Sequence, residues 1–204
     1  MSIVVRALAP STFSDYEALT RDEGGGGCYC AFWHQKFASH DAWLAQCRKR
    51  PEANCAAIRA KMDAGFHVGV VAYDEETSRA IAWVSVAPLP EIYWAWKRVA
   101  ALGVEAADTA GIVCFTLGRD ERGRGRSASV LAALARYGAT RGWKRLEGYP
   151  FDAAALEKHG DDVLWPGRPE TFASAGFERI GAHWLEHADY PRSIWRRDLG
   201  PPPT

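Results

Sequence analysis

Apolar and polar positions change their rhythm several times along this chain, and each change predicts an element. Ser2 to Leu8 is short and apolar and reads as a first strand. Ser11 to Leu19 follows a helical spacing, with Ser11 or Ser14 as candidate caps. Gly24 to Gly27 is an unbroken glycine run, which no regular element accommodates cheaply, so it predicts a turn or loop. Asp41 to Arg48 is helical in pattern, with Ser39 placed to cap it. Pro51 suits the first turn of another helix that runs to about Ala64, where Gly65 stops it.

The texture then turns to β-branched and aromatic residues. Phe66 to Tyr73 and Arg79 to Ala87 flank the turn-forming stretch Asp74 to Ser78, which predicts a hairpin ended by Pro88 and Pro90. Ile92 to Leu102 is rich in aromatics and reads as a short helix with a loop after it. Gly111 to Leu117 is almost continuously apolar, as expected of a central strand. In Ser127 to Arg141 the residues Val130, Leu131, Leu134 and Tyr137 recur at helical spacing, and Gly142 ends the helix. Arg145 to Tyr149 predicts a strand, Asp152 to Pro169 a loop, and Glu170 to Ala175 a short helix. Phe177 to Trp184 and Ser193 to Leu199 are the last two strands. Antiparallel strands first, then strand–helix–strand, make a mixed α+β sheet. No linker divides the chain, so residues 1–200 read as one domain and 201–204 as a tail.

Composition narrows the function classes. The 204 residues are 48% hydrophobic and 25% charged, with a formal net charge of zero. That balance gives no global basic field for nucleic acid and no polybasic membrane footprint. No apolar run reaches the length of a membrane span, and the apolar start at Met1 to Leu8 is short and broken by Arg6. The five cysteines Cys28, Cys30, Cys47, Cys55 and Cys114 make an odd set, which argues against a disulfide framework and for the cytoplasm.

Charge is instead gathered locally. In Ile112-Val-Cys-Phe-Thr-Leu-Gly-Arg-Asp-Glu-Arg-Gly-Arg-Gly-Arg-Ser-Ala128 an apolar strand enters a glycine-rich turn that opens a helix. Free backbone N–H groups and the macrodipole make such a helix start an anion site. Gly123 and Gly125 let the backbone approach phosphates, and Arg122, Arg124 and Arg126 add forked donors. A P-loop is excluded, because Arg124 and Gly125 stand where lysine and the magnesium-binding hydroxyl belong. Gly123-x-Gly125-x-x-Ala128 also matches a dinucleotide fingerprint, with Glu147 near the position of a ribose-binding acid. However, residues 118–122 separate the strand from the turn, and an apparent hairpin precedes it, against the strand–helix alternation that fold requires.

Arg122-Gly-Arg-Gly125-Arg-Ser127 resembles the Arg/Gln-x-x-Gly-x-Gly/Ala motif of the GNAT superfamily of acyl-CoA N-acyltransferases. Thr171-Phe-Ala-Ser-Ala-Gly-Phe177 is similar to that family's Phe-Tyr-x-x-x-Gly-Phe ending, and Gly27-Cys-Tyr-Cys-Ala-Phe-Trp33, Trp83-Val-Ser-Val-Ala-Pro88 and Glu147-Gly-Tyr-Pro150 look like one of its subgroups. The resemblance implies a GNAT-like fold: a central mixed antiparallel and parallel sheet flanked by helices, with strands splayed at the cofactor site. It implies acetyl-CoA or another acyl-CoA as co-substrate, a small-molecule or peptide amine as acceptor, and direct attack in a ternary complex. Homodimers are common in the family. By the same resemblance, the backbone of Phe115, Thr116 and Leu117 would pair with the pantetheine arm. Arg122, Gly123, Arg124, Gly125, Arg126, Ser127 and Ala128 would cradle the pyrophosphate. Two positions depart from the pattern. Ser127 replaces a small Gly or Ala, and Phe172 stands where many members carry a general-acid tyrosine. That second change favours an alternative, a non-catalytic acyl-CoA-binding module on the same fold.

The remaining candidates are weaker. Glu147 and Tyr149 alternate onto one face of their strand and could serve as base and acid, or form an ordinary ion pair and a packed ring. Asp22, Glu23 and Glu91 lie in segments that would border the acceptor. Trp33, Trp94 and Trp96 divide evenly between core and acceptor pocket, while Trp83 reads as core. Cys28-x-Cys30 with His34 lacks the second ligand pair that structural zinc wants, so no metal is expected. His183 and His187 read as structural or solvated.

Overall fold

A computed structural model describes residues 2–22, 26–93, 106–160, 164–183 and 189–200, without the side chain of Asp22. The strands are β1 Ile3–Ala7, β2 Val70–Asp74, β3 Ala80–Pro88, β4 Thr109–Leu117, β5 Arg145–Gly148, β6 Glu178–Ala182 and β7 Ser193–Asp198. They form one seven-stranded sheet in the order β1-β2-β3-β4-β5-β7-β6. Every neighbouring pair is antiparallel except β4 and β5. The helices are α1 Phe13–Asp22, α2 Ala31–His34, α3 His40–Lys49, α4 Pro51–Asp63, α5 Arg126–Thr140, α6 Ala153–His159 and α7 Pro169–Ser174.

Two apolar layers cover the sheet. On one face Val130, Leu131 and Leu134 of α5 pack with Ile3, Val70, Val84, Ile112, Leu146 and Phe172. On the other, Tyr16 of α1 and Ile58 of α4 pack against Val71, Tyr73 and Trp83. β2 and β3 are covered on both faces, which is why their sequences read as continuous apolar runs. The helix that crosses from β4 to β5 is α5, and this crossover makes that one pair parallel.

The expected elements are recovered with shifted ends. Ser39 Oγ accepts from Ala42 N–H at 3.1 Å, as its capping place predicts. Neither Ser11 nor Ser14 caps the first helix; Thr12 Oγ1 accepts from Ala9 N–H at 2.9 Å, so the chain turns one step earlier. Phe66 to Gly69 is not strand: the Phe66 ring is exposed beneath the Lys61 ammonium. The predicted loop Asp152 to Pro169 contains α6, and the tetrapeptide helix α2 has no counterpart among the predicted elements. The segment Ile92 to Leu102 lies almost wholly outside the described residues. No described helix is long and apolar enough to cross a membrane.

Candidate functional site

The parting of β4 from β5 has a local cause. On β3 the register steps from Ser85 to Val86, while on β4 it steps from Cys114 to Ile112. Val113 is therefore an extra residue, a β-bulge. A bulge bends its strand and tightens the twist. Pairing with β5 stops at the same point, at Ile112 and Gly148, yet β4 continues to Leu117. Residues 113–117 thus present a backbone edge to a cleft rather than to a strand. The Phe115 N–H points into that cleft, because it donates to Trp165 O at 2.7 Å.

The glycine turn lies at the far end of β4. Gly123 and Gly125 both adopt φ +71°, a left-handed conformation that costs other residues about 1–2 kcal/mol. A Cβ built on either meets no atom within 4 Å, so the space before them is open. Gly125 is the N-cap of α5, with no side-chain cap bond and no acidic residue in the first turn. Ser127 sits inside the helix, at its second residue. The first N–H groups of α5 are left facing outward with the dipole behind them.

The arginines divide. Arg122 and Arg124 are exposed at the turn, and Arg122 Nε donates to Leu117 O at 3.1 Å. Arg126 instead pairs through Nε with Glu121 Oε2 at 3.1 Å. Glu121 is buried and also receives Arg79, the residue just before β3. Sequence reasoning misses this brace. Its only signal is an acid between basic residues, and Arg79 is remote in the chain.

A second cluster of polar and aromatic side chains is built around β5. Glu147 Oε1 accepts from Arg196 Nε at 2.9 Å and Nη2 at 2.5 Å, and its Oε2 accepts from Tyr149 Oη at 3.2 Å. Both residues are buried. Burial, followed by the neighbouring Glu147, holds the Tyr149 phenol well above its usual range, so it stays protonated. A Cβ on Gly111 would lie 3.1 Å from Tyr149 Oη, so glycine there leaves the phenol its place against β4. Trp33 is buried with Val113, Leu89, Ile92 and Tyr149, and its ring lies 5.9 Å from that of Trp165. Nothing in the sequence singles out Trp165, yet it stands between Trp33 and Phe151 and occupies the cleft through its carbonyl.

Other candidates fall elsewhere. Phe172 is core: its ring lies beneath Gly148 and Gly167 and meets Phe177 edge-on at 5.2 Å. Glu91 Oε2 accepts from His67 N–H at 3.2 Å, and Trp83 is fully buried. His34 bonds Ser85 Oγ at 2.9 Å while Cys30 Sγ accepts from Trp83 Nε1 at 3.3 Å, so these residues serve separate contacts. His183 is buried edge-on against Tyr149, and burial lowers its pKa to about 3. Trp94, Trp96, Glu23 and His187 lie outside the described residues.

The seven-stranded mixed sheet flanked by helices matches the fold of solved acetyltransferase structures. The chain is similar in structure to aminoglycoside acetyltransferase AAC(6')-Ib in complex with ribostamycin and coenzyme A, with a TM-score of 0.55 at 12% identity over 97% of this chain and 94% of that one. A protein assigned as a phosphinothricin N-acetyltransferase gives 0.52 at 19% identity over 98% and 99%. A protein of Desulfovibrio desulfuricans assigned to the GNAT family gives 0.55 at 12% identity over 98% and 100%. No family model and no curated protein matches the sequence.

Proposed function

We propose that this protein transfers an acetyl or other short acyl group from acyl-CoA to a primary amine by direct attack in a ternary complex. The observation that carries this reading is the cleft beside the bulge at Val113, which leads to an open, left-handed glycine turn at the N-terminus of α5. An extended, amide-bearing arm ending in a pyrophosphate suits that pair of features. The N–H groups around Gly123, Gly125, Ser127 and Ala128 take the pyrophosphate, with Arg122 and Arg124 adding charge. Arg126 acts chiefly through Glu121, holding the turn in shape. The backbone edge from Phe115 to Leu117 takes the arm.

The Phe115 N–H is the donor best placed to stabilise charge on a thioester carbonyl in the cleft. The Trp165 carbonyl occupies it, so the segment carrying Trp165 yields when the co-substrate enters. Phe172 cannot protonate the leaving thiolate. Tyr149 takes that role in this reading: it is a protonated phenol at the end of β5. Glu147 holds the phenol in place and offers Oε2 as the proton acceptor for the amine.

A second reading, binding of acyl-CoA without transfer, is favoured by the burial of Phe172 in the core. Calorimetry with acetyl-CoA and NAD, followed by thiol release from acetyl-CoA across an amine panel, separates the readings. Acetyl-CoA binding with amine-dependent thiol release supports transfer. Binding without release supports the second reading. Preference for NAD removes both.

A further inference from the structure

We infer that the acceptor is an amine that also carries a carboxylate, and that Arg192 is its anchor. This inference rests on the acyltransferase reading and concerns the same site. Phe151 and Arg192 form a bridge that prolongs the β5–β7 ladder beyond Gly148 and Trp195. That places Arg192 on the strand side of the cleft, past the point where β4 and β5 part. Its guanidinium carbon lies 3.8 Å from the centre of the Phe151 ring and 4.6 Å from that of Trp165. Trp165 in turn reaches the Phe115 N–H with its carbonyl and Trp33 with its ring. The cation therefore borders the cleft at which the amine would attack.

The guanidinium packs over the Phe151 ring and beside the Trp165 ring, which stand 5.6 Å apart at 83° to each other, so part of its N–H edge is left to offer a ligand. Among the described residues no carboxylate pairs with it, and Nη1 is buried without any hydrogen-bond partner. The nearby acids are engaged otherwise: Glu147 with Arg196 and Tyr149, and Asp152 with Ser193 Oγ at 2.5 Å. Arg192 is half-buried, and an unpaired charge drawn partly out of water is costly unless a counter-ion is supplied. A buried donor without a partner likewise calls for one. His183, packed beside it, is held neutral, by burial first and by the Arg192 charge second, and so supplies none. A planar fork backed by the Phe151 ring, and uncovered on its Trp165 side once that segment yields to the co-substrate, matches a carboxylate in two-point contact. The same charge repels acceptors that are polycations.

The test uses matched pairs: phenylalanine with phenethylamine, methionine with its decarboxylated amine, and spermidine as a polycation. Binding to the CoA-saturated protein is measured by calorimetry, and kcat/KM by thiol release, in wild type, Arg192→Met and Arg192→Lys. The amino acids are expected to exceed their decarboxylated partners roughly 30-fold or more, the usual consequence of a desolvated charge pair. Arg192→Met should erase that ratio, and Arg192→Lys should restore part of it. Equal or better use of the decarboxylated amines or spermidine by wild type overturns the inference, as does a ratio that survives in Arg192→Met. Failure of every carboxylate to bind the CoA-loaded protein overturns it too. Acetyl-CoA binding by the same preparations reports separately on the underlying reading. If it is intact and the carboxylate preference is absent, only the anchor is lost; if it is absent, the acyltransferase reading is lost.

Discussion

Substituting Gly125 with aspartate separates a ligand effect from a folding effect, because the fold contains its own control. Gly125 and Gly142 bound α5 at opposite ends, with φ +71° and +77°, and a Cβ on either meets nothing within 4 Å. Aspartate at each position therefore carries the same left-handed strain, at most about 1–2 kcal/mol. For a chain of this length that strain lowers the unfolding midpoint by roughly 2–8 °C, less at Gly125, where a carboxylate also meets the positive end of the α5 dipole, and more at Gly142, at its negative end. Only at Gly125 does the new carboxylate face the proposed pyrophosphate. Two unit charges about 4 Å apart repel by about 1 kcal/mol in water and about 4 kcal/mol near a protein surface. Because Gly125 is exposed, the lower part of that range applies, and the lost backbone approach adds to it. Acetyl-CoA affinity should therefore fall about tenfold or more in Gly125→Asp and stay near wild type in Gly142→Asp. Calorimetric titration and thermal unfolding of the three proteins decide the matter. A Gly125→Asp protein that binds acetyl-CoA within about threefold of wild type would refute the assignment of the turn.

Four further perturbations probe the site and its support. Gly148→Ala drives a methyl into the Phe172 ring and should cost ~1–3 kcal/mol; an unchanged melting curve contradicts the packing described. Phe172→Tyr should lower stability by ~1–3 kcal/mol, since a hydroxyl enters an apolar core, without raising kcat; a faster enzyme would mean that the phenol reaches the sulfur after all. Trp165→Ala removes the ring contacts with Trp33, Phe151 and Arg192 that hold its carbonyl on Phe115, so acetyl-CoA should bind more tightly; weaker binding would count against displacement of that segment. His34, His67 and His183 have pKa values lowered by burial to about 3, 4 and 3, from an ordinary 6.5. Below pH 6.5 the unfolded chain binds protons that the folded chain refuses. Stability is therefore level above that pH and falls as pH drops from 6.5 towards 4, by up to ~1.4 kcal/mol per unit for each histidine. Denaturant unfolding from pH 7 to 5 would disprove this with a flat profile.

The parts of the fold that are legible in the sequence are those fixed by local chemistry. Pro51 and Gly65 frame α4, Ser39 caps α3, and the Asp74 turn joins two β-branched runs. The glycine turn is legible for the same reason, since Gly123 and Gly125 are needed where φ is positive. Long-range features are not. Val113 sits in a continuous apolar run, where no alternation marks an extra residue. α6 is hidden by Pro150 and Gly160 on either side, although Ala153-Ala-Ala-Leu-Glu-Lys-His has good helix propensity. The arginines at the turn look alike in sequence, yet burial of Glu121 makes Arg126 a brace and leaves Arg122 and Arg124 outside.

The bulge at Val113 connects these observations. By inserting one residue between Ile112 and Cys114 it ends the pairing with β5 at Gly148 and turns the Phe115 N–H into the gap. An unsatisfied strand edge in a half-buried cleft needs an acceptor. In the free chain the Trp165 carbonyl fills that need. An extended amide-bearing ligand would fill it in the bound state, so entry exchanges one hydrogen bond for another rather than creating a new one. Affinity for acyl-CoA should then depend less on the cleft than on the turn, where Gly125 and the N–H groups of α5 have no such internal substitute among the described residues. In the proposed reaction the cleft would instead govern the chemistry after binding: once the Trp165 carbonyl leaves, the Phe115 N–H is freed for the thioester carbonyl.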